Sequence, residues 1–371
     1  MHNNDHRTVL TLDAGGTNFV FSAIRRGEEI VLPVCLPAYP DNLERCLKAI
    51  ISGFKEVIGL IDAEPDAISF AFPGPADYEN GIIGDLPNFP SFRGGVALGP
   101  LLEKEFGLPV FINNDGNLFA YGEALAGALP EVNRSLHEIG NPTLYKNLIA
   151  VTLGTGFGCG VVIDKQLLLG DNGCGGDVWL SANKYDNCLI AEEGVSIRAV
   201  VRTYMELSGE GISYTPKEIF EIAEGNKKGD REPAVKSFER LGEAAGYTIT
   251  EFLNIVDGIV VLGGGVSNAH KYILPALLKE MRGSRKTVAG ATIPRLQMEV
   301  YNLEDERERA EFVKGESGSI GIPGGDSVAH YREKKKTGVM ISKLGTSRAV
   351  SLGAYYFALN RLDKVKKHTN D

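Results

Sequence analysis

The sequence predicts an α/β protein of two similar lobes, and three features carry that expectation. Alternating apolar residues in 8–24, TVLTLDAGGTNFVFSAI, read as a hairpin with a glycine-rich tip. The plan restarts at Leu148, where a strand to Leu153 meets a second glycine tip, Gly154-Thr155-Gly156-Phe157-Gly158, and returns over Cys159–Asp164. Each hairpin is followed by strands alternating with helices, the mark of an α/β half. At 371 residues the chain is long for one domain and comfortable for two, so it can bury a sizeable core without disulfides or metals.

The elements follow in order. Leu43, Cys46, Leu47, Ile50, Phe54, Val57 and Ile58 recur at helical spacing and predict one long amphipathic helix. A strand over 67–72 is stopped by Pro73-Gly74-Pro75. A helix near 101–106 leads to a strand Val110-Phe111-Ile112 that ends in Asn113-Asn114-Asp115, and a further helix starts there. In the second half, Thr215-Pro216-Lys217-Glu218 predicts a capping box with proline at the first helical position. A long helix is expected over 234–253, and the strand 259–262 runs into Gly263-Gly264-Gly265. Residues 303–338, charged and glycine-rich, read as a surface excursion, and a last helix over 347–362 is expected to pack on the first lobe. The expected lobes are thus 1–116 with 345–371, and 117–344.

Composition excludes several classes. Charged residues at 23% and hydrophobic residues at 43% match an ordinary globular chain and argue against disorder. The net charge of −9, with basic runs only at 334–336 and 364–367, argues against a nucleic-acid partner. No apolar run reaches membrane-spanning length, and the polar start leads straight into a strand without a secretory signal. Five irregularly spaced cysteines suit a reducing compartment, so a cytoplasmic protein is expected.

The hairpin tips carry the chemistry. Glycines let backbone N–H groups approach a ligand and converge on one point, a concavity suited to phosphate. Asp13, just before the first tip, is placed to hold Mg²⁺ through water, since that ion prefers carboxylate oxygens. A tight turn alone would explain one such tip; two together point to a metal-bound nucleotide. Asn114 or Asp115 could simply cap the helix that follows, or Asp115 could accept a proton from a substrate hydroxyl while Asn114 fixes neighbouring hydroxyls. Gly263-Gly264-Gly265-Val266-Ser267 fits a nucleotide-contacting turn as well as it fits a packed helix entry. Cys174, Asp177 and Cys188, without a nearby histidine, make a poor zinc set.

As an ordered set these motifs resemble the ROK family of sugar kinases and sugar-responsive repressors. DAGGT at 13–17 is similar to that family's first phosphate motif, GTGFGCG at 154–160 to its second and GGGVS at 263–267 to its adenosine turn. PGP at 73–75, Asn88 in LPNFPSF and NND at 113–115 resemble its sugar-side motifs. The resemblance implies the two-lobed actin-like ATPase (ribonuclease H-like) fold with an interlobe cleft, and an ATP- and Mg²⁺-dependent kinase of a hexose, glucose-like first, with N-acetylhexosamine or fructose behind it. It implies that Asp115 is the base for the 6-hydroxyl, that Asn88 and Asn114 bind other hydroxyls, and that Asp13, Gly15, Gly16, Thr17, Gly154, Thr155, Gly156, Gly263, Gly264 and Gly265 hold the nucleotide. A homodimer is common in the resembled family.

The segment after the second hairpin departs from the family pattern. Where the family carries a glutamate and histidine and then a cysteine-rich zinc loop, this chain has Cys174 and Asp177, and of the loop's cysteines only Cys188; the glutamate usually found close behind is Ile190. No zinc site is therefore expected, and Asp177 and Glu193 are the candidates for the missing sugar contacts. A non-catalytic regulator is disfavoured because the first motif begins at Asp13, leaving no room for a DNA-binding domain before it. A sugar-binding protein without turnover is the other alternative.

Overall fold

The protein is described by a computed structural model over residues 5–85, 89–209, 211–315, 317–324 and 326–368. Contacts divide the chain into two compact units, Met1–Gly127 with Gly160–Gly176 and Leu344–Asp371, and Ala128–Cys159 with Asp177–Lys343.

In the first unit, β1 (Thr8–Ala14) and β2 (Asn18–Arg25) form the opening antiparallel hairpin. Next come α1 (Leu43–Leu60), β3 (Ala67–Ala71), α2 (Leu98–Phe106), β4 (Val110–Asn113) and α3 (Asp115–Leu125). β1, β3 and β4 lie side by side and parallel, with β2 on the other side of β1. Asn42 starts α1 by accepting the Arg45 N–H on its side chain. The buried face of α1, including Ile50, Phe54 and Val57, covers the sheet. Gly53 is required there because a Cβ would come within 2.2 Å of the Phe21 ring. Phe19, Phe21, Phe54, Phe70, Phe72, Phe89 and Phe92 make a continuous set of edge and stacked ring contacts, which is the core of this unit.

The C-terminal helix, Thr346–His368, belongs to the same unit and is longer than the expected 347–362. It crosses α3 backbone to backbone: a Cβ on Gly122 would lie 1.9 Å from the Ala349 carbonyl oxygen, and one on Gly353 1.8 Å from that of Leu118. This crossing explains why the unit runs to Gly127 and takes in all of α3, where the sequence suggested a division at 116.

The second unit opens with α4 (Ala128–Glu138) and β5 (Leu148–Leu153), and the hairpin return β6 (Phe157–Ile163) begins in it, its residues from Gly160 being counted with the first unit. Three helices follow: α5 (Ile197–Ser208), α6 (Pro216–Glu224) and α7 (Arg231–Val256). Thr215 and Glu218 close the expected capping box on α6. α7 begins three residues earlier than expected and pairs closely with α8 (His270–Met281), its Gly242 and Gly246 lying against the Ile273 and Leu277 carbonyls. The fully buried strand β7 (Ile259–Gly263) runs parallel to β5.

The stretch 303–338 is not only a surface excursion. After β8 (Glu299–Asn302) it holds α9 (Glu306–Val313), an exposed hairpin β9 (Ser317–Gly321) and β10 (Val328–Arg332), and the start of β11 (Lys336–Ile341). β11 is a buried strand between β7 and β8, parallel to both. Its polar start is accommodated by hydrogen bonds: Thr337 Oγ1 donates to the Gly258 carbonyl, and Lys336 Nζ to those of Glu311 and Lys314. No helix among the described residues is long and apolar enough to cross a membrane.

Candidate active site

The site residues of the first unit gather where its parallel strands end. In register, Asp13 of β1 stands opposite Ala71 of β3, and Ala71 opposite Asn113 of β4. Ligands in open α/β sheets bind beyond these carboxyl ends. Gly15, Gly16 and Thr17 form the exposed tip of the hairpin. Gly15 is needed for space, since a Cβ would come within 2.8 Å of the Asn18 carbonyl oxygen, while Gly16 faces open space. Neither stands at positive φ, so the turn does not require both glycines for backbone reasons.

The Asn113-Asn114-Asp115 run divides its work. Asn113, buried, accepts the Asn114 N–H and the Asn117 Nδ2 on its side-chain oxygen. Asn114 is the helix cap, its Oδ1 accepting the Asn117 N–H at 2.6 Å. Asp115, the first helical residue, is therefore free of capping duty and accepts the Gly116 N–H at 2.9 Å. Its side chain is reached by water, yet dense protein surrounds it. The resulting desolvation raises its pKa above the usual carboxylate value, the Gly116 and its own N–H oppose the rise, and the charge of Asp13 adds to it. Asn88 lies outside the described residues.

In the second unit, two glycine turns leave the ends of adjacent parallel strands, with Thr152 of β5 opposite Gly263 of β7. At the first turn the Gly154 N–H donates to the Gly156 carbonyl, and the Gly154 carbonyl accepts the N–H of Ile197 at the start of α5. At the second, Gly264 has φ of 85°, and a Cβ there would lie 2.4 Å from the Leu153 carbonyl oxygen, so its backbone presses on the end of β5. Gly265 then begins a short 3₁₀ turn through Ala269, with Ser267 Oγ donating to the Gly264 carbonyl. This is a backbone-lined ledge that side chains would fill.

Two residues absent from the sequence-based set complete the first turn. Glu192 Oε2 accepts the Phe157 N–H at 3.0 Å and sits 2.6 Å from where a Gly156 Cβ would be. Arg198 donates to Glu192 Oε1 at 2.9 Å and to the Thr155 carbonyl at 3.3 Å. Nothing in the spacing of Thr155, Glu192 and Arg198 announces that they meet. Glu193 is engaged by Arg202 at 2.9 Å and by Arg198 at 3.5 Å, and these partners hold its carboxyl below the usual range.

Asp177 is exposed, ahead of a 3₁₀ turn at Val178–Leu180, and close enough to Cys159 that its charge adds to the burial pushing that thiol up to about 12. The segment 182–193 is held by a strand bridge, an ion pair and a side-chain hydrogen bond. Ala182 bridges Ile190, Lys184 pairs with Glu280 at 2.6 Å, and Tyr185 Oη donates to Glu243 at 2.7 Å. Among the described residues no group of three or more histidine, cysteine or acidic side chains converges as a metal site, and Cys174 and Cys188 are both exposed.

Comparison with known proteins agrees with this geometry. The family model described as the ROK family matches residues 9–290. The glucokinase of Thermotoga maritima is 28% identical over 294 residues, 74% of this chain and 86% of that protein. The N-acetyl-D-glucosamine kinase of Vibrio parahaemolyticus is 26% identical, over 75% of this chain and 96% of its own. A crystal structure of a glucokinase from Parabacteroides distasonis is 57% identical and superposes with a TM-score of 0.87, covering 97% of this chain and 99% of that one.

Proposed function

Because the chain belongs to the ROK family, we propose that it is an ATP-dependent hexose kinase, with glucose the first-choice acceptor and its 6-hydroxyl the point of transfer. The observation that carries this reading is Asp115: a carboxylate relieved of capping by Asn114, beside Asp13, whose affinity for a proton is raised. A general base works best with a pKa drawn toward the working pH, and Asp115 is shifted in that direction. Asp115 takes the hydroxyl proton as the oxygen attacks the terminal phosphoryl group, while Asn114, with its Oδ1 spent on the helix, offers its Nδ2–H to a neighbouring hydroxyl.

The glycine turns suit the nucleotide. Backbone N–H groups around Gly15–Gly16 and Gly154–Gly156 bind phosphates, and the ledge at Gly263–Gly265 takes the adenosine. The Asp13 carboxylate, exposed at the strand end and without a hydrogen-bond partner among the described residues, fits a Mg²⁺ ion held through water. When bound, that ion neutralises phosphate charge. Asp177 is the remaining candidate for a sugar contact, and Glu193 reaches a sugar only by sharing itself with two arginines. The likeness to the Vibrio protein supports N-acetylglucosamine as the second reading. ADP release measured against glucose, N-acetylglucosamine, mannose and fructose tests both. Turnover with none of them would sink the kinase reading, and a preference for the acetylated sugar would reverse the order.

A further inference from the structure

The second unit carries a pocket of about 620 Å³ that none of the candidate active-site residues lines. Its floor is apolar, made by Leu136, Ile139 and Pro142 around the end of α4, with Tyr145 and Phe312 stacked at 5.5 Å. Its rim is cationic: Lys314, Arg332, Lys334 and Lys336, with His330 beside them, and among the described residues no aspartate or glutamate lines it. Such a rim stands out on a chain whose net charge is −9.

The countercharges say what is missing. Lys314 pairs with Glu311 at 2.7 Å and Lys334 with Glu299 at 3.8 Å, both carboxylates outside the lining. Lys336, buried, donates its ammonium to the carbonyls of Glu311 and Lys314, and its charge is felt at the Glu311 carboxylate. Arg332 and His330, two residues apart and so on one face of β10, have no ion-pair partner among the described residues. Arg332 is nonetheless close enough to Tyr145 for its charge to be felt at the phenol. A guanidinium offers a planar fork of donors that matches phosphate oxygens, and lysines add point charge around it. The volume is in the range of small-molecule sites, and the half-buried Tyr145 ring, backed by the buried Phe312, offers an aromatic wall to the rest of a ligand.

We propose that this pocket binds a phosphorylated small molecule, a phosphate ester whose phosphoryl group sits on Arg332 and the lysine rim and whose organic part lies on Tyr145 and Phe312. The inference does not rest on the kinase reading, because it concerns binding alone.

Calorimetric titration of the full-length protein with inorganic phosphate, glucose 6-phosphate and ADP tests it, using wild type, Arg332→Ala, Arg332→Lys and Gly156→Val. At least one ester is expected to bind wild type with saturation, to weaken about tenfold or more in Arg332→Ala, as loss of a charge-assisted fork implies, and less in Arg332→Lys. The same binding should persist in Gly156→Val, which separates it from occupancy of the nucleotide turns. The choice between glucose 6-phosphate and ADP identifies the source of the phosphate. Binding of neither ester, binding indifferent to Arg332, or inorganic phosphate binding as tightly as both esters would overturn the proposal. Melting curves of the Arg332 variants, on an exposed strand, check that they remain folded.

Discussion

Glu192 Oε2 lies 3.0 Å from the backbone nitrogen of Phe157, so an acidic side chain occupies one donor of the very turn proposed to receive phosphate. Arg198 offsets that charge by bonding the other oxygen of the carboxylate. Removing Arg198 should leave Glu192 uncompensated beside an incoming polyanion. Arg198→Ala is expected to raise the KM for ATP about tenfold, roughly 1.4 kcal/mol, with the sugar KM little changed. Adding Glu192→Gln should recover most of the loss. Steady-state titration of both substrates reads this, and an unchanged ATP KM in Arg198→Ala would dismiss the electrostatic argument.

Gly156→Val should weaken ATP far more than sugar. A side chain there meets Glu192 at 2.6 Å from its first carbon and fills space above the turn. Equal weakening of both substrates would mean that the turn is only structural.

Asp115→Asn preserves shape and leaves the cap, which belongs to Asn114, untouched. Turnover should fall by about a hundredfold or more, the usual worth of a general base, while sugar binding persists. Stability has a defined sign. A carboxylate whose pKa is raised on folding favours the folded state below its ordinary pKa and loses that contribution as pH rises through the raised value. At neutral pH the charge is therefore a cost, and the asparagine variant should melt at the same or a higher temperature. Near-normal kcat in this variant would remove the proposed mechanism.

The same shift sets a pH profile. Because the base must be ionised, kcat/KM should decline toward acid with an apparent pKa above the usual carboxylate range, and desolvation is the first cause of that displacement. A profile flat down to the ordinary aspartate pKa would contradict it.

Gly353→Ala tests the helix crossing. With the Leu118 carbonyl oxygen 1.8 Å from the new methyl group, backbone must move, at a cost of about 3 kcal/mol by comparison with overpacked cores. A melting temperature within experimental error of wild type would show that the helices can separate freely.

The order of strands and helices around both hairpins could be read from the sequence because short apolar runs end there at glycine tips and helical spacing is sustained, as in Val9–Leu12, buried on both faces, and along α1. The strand end at Asn113-Asn114-Asp115 was readable for the same reason, but not which residue caps. Only the Asn114–Asn117 hydrogen bond separates the roles. β11 was hidden behind Lys334-Lys335-Lys336, since a buried lysine that donates to two carbonyls looks, in sequence, like a solvated one. Glu192 and Arg198 stayed out of view because their meeting with residues 155–157 depends on where α5 begins, a tertiary fact with no local signature.

The backbone crossing of α3 by the C-terminal helix also bears on biosynthesis. During translation the N-terminal strands and α3 leave the ribosome more than two hundred residues ahead of Gly353, as the chain positions require. Until that last helix emerges, the nascent first unit carries an uncovered groove along Leu118–Gly122 and cannot complete its fold, whereas most of the second unit is already synthesised. On this geometry the first unit closes last, against the usual N-to-C order of domain folding.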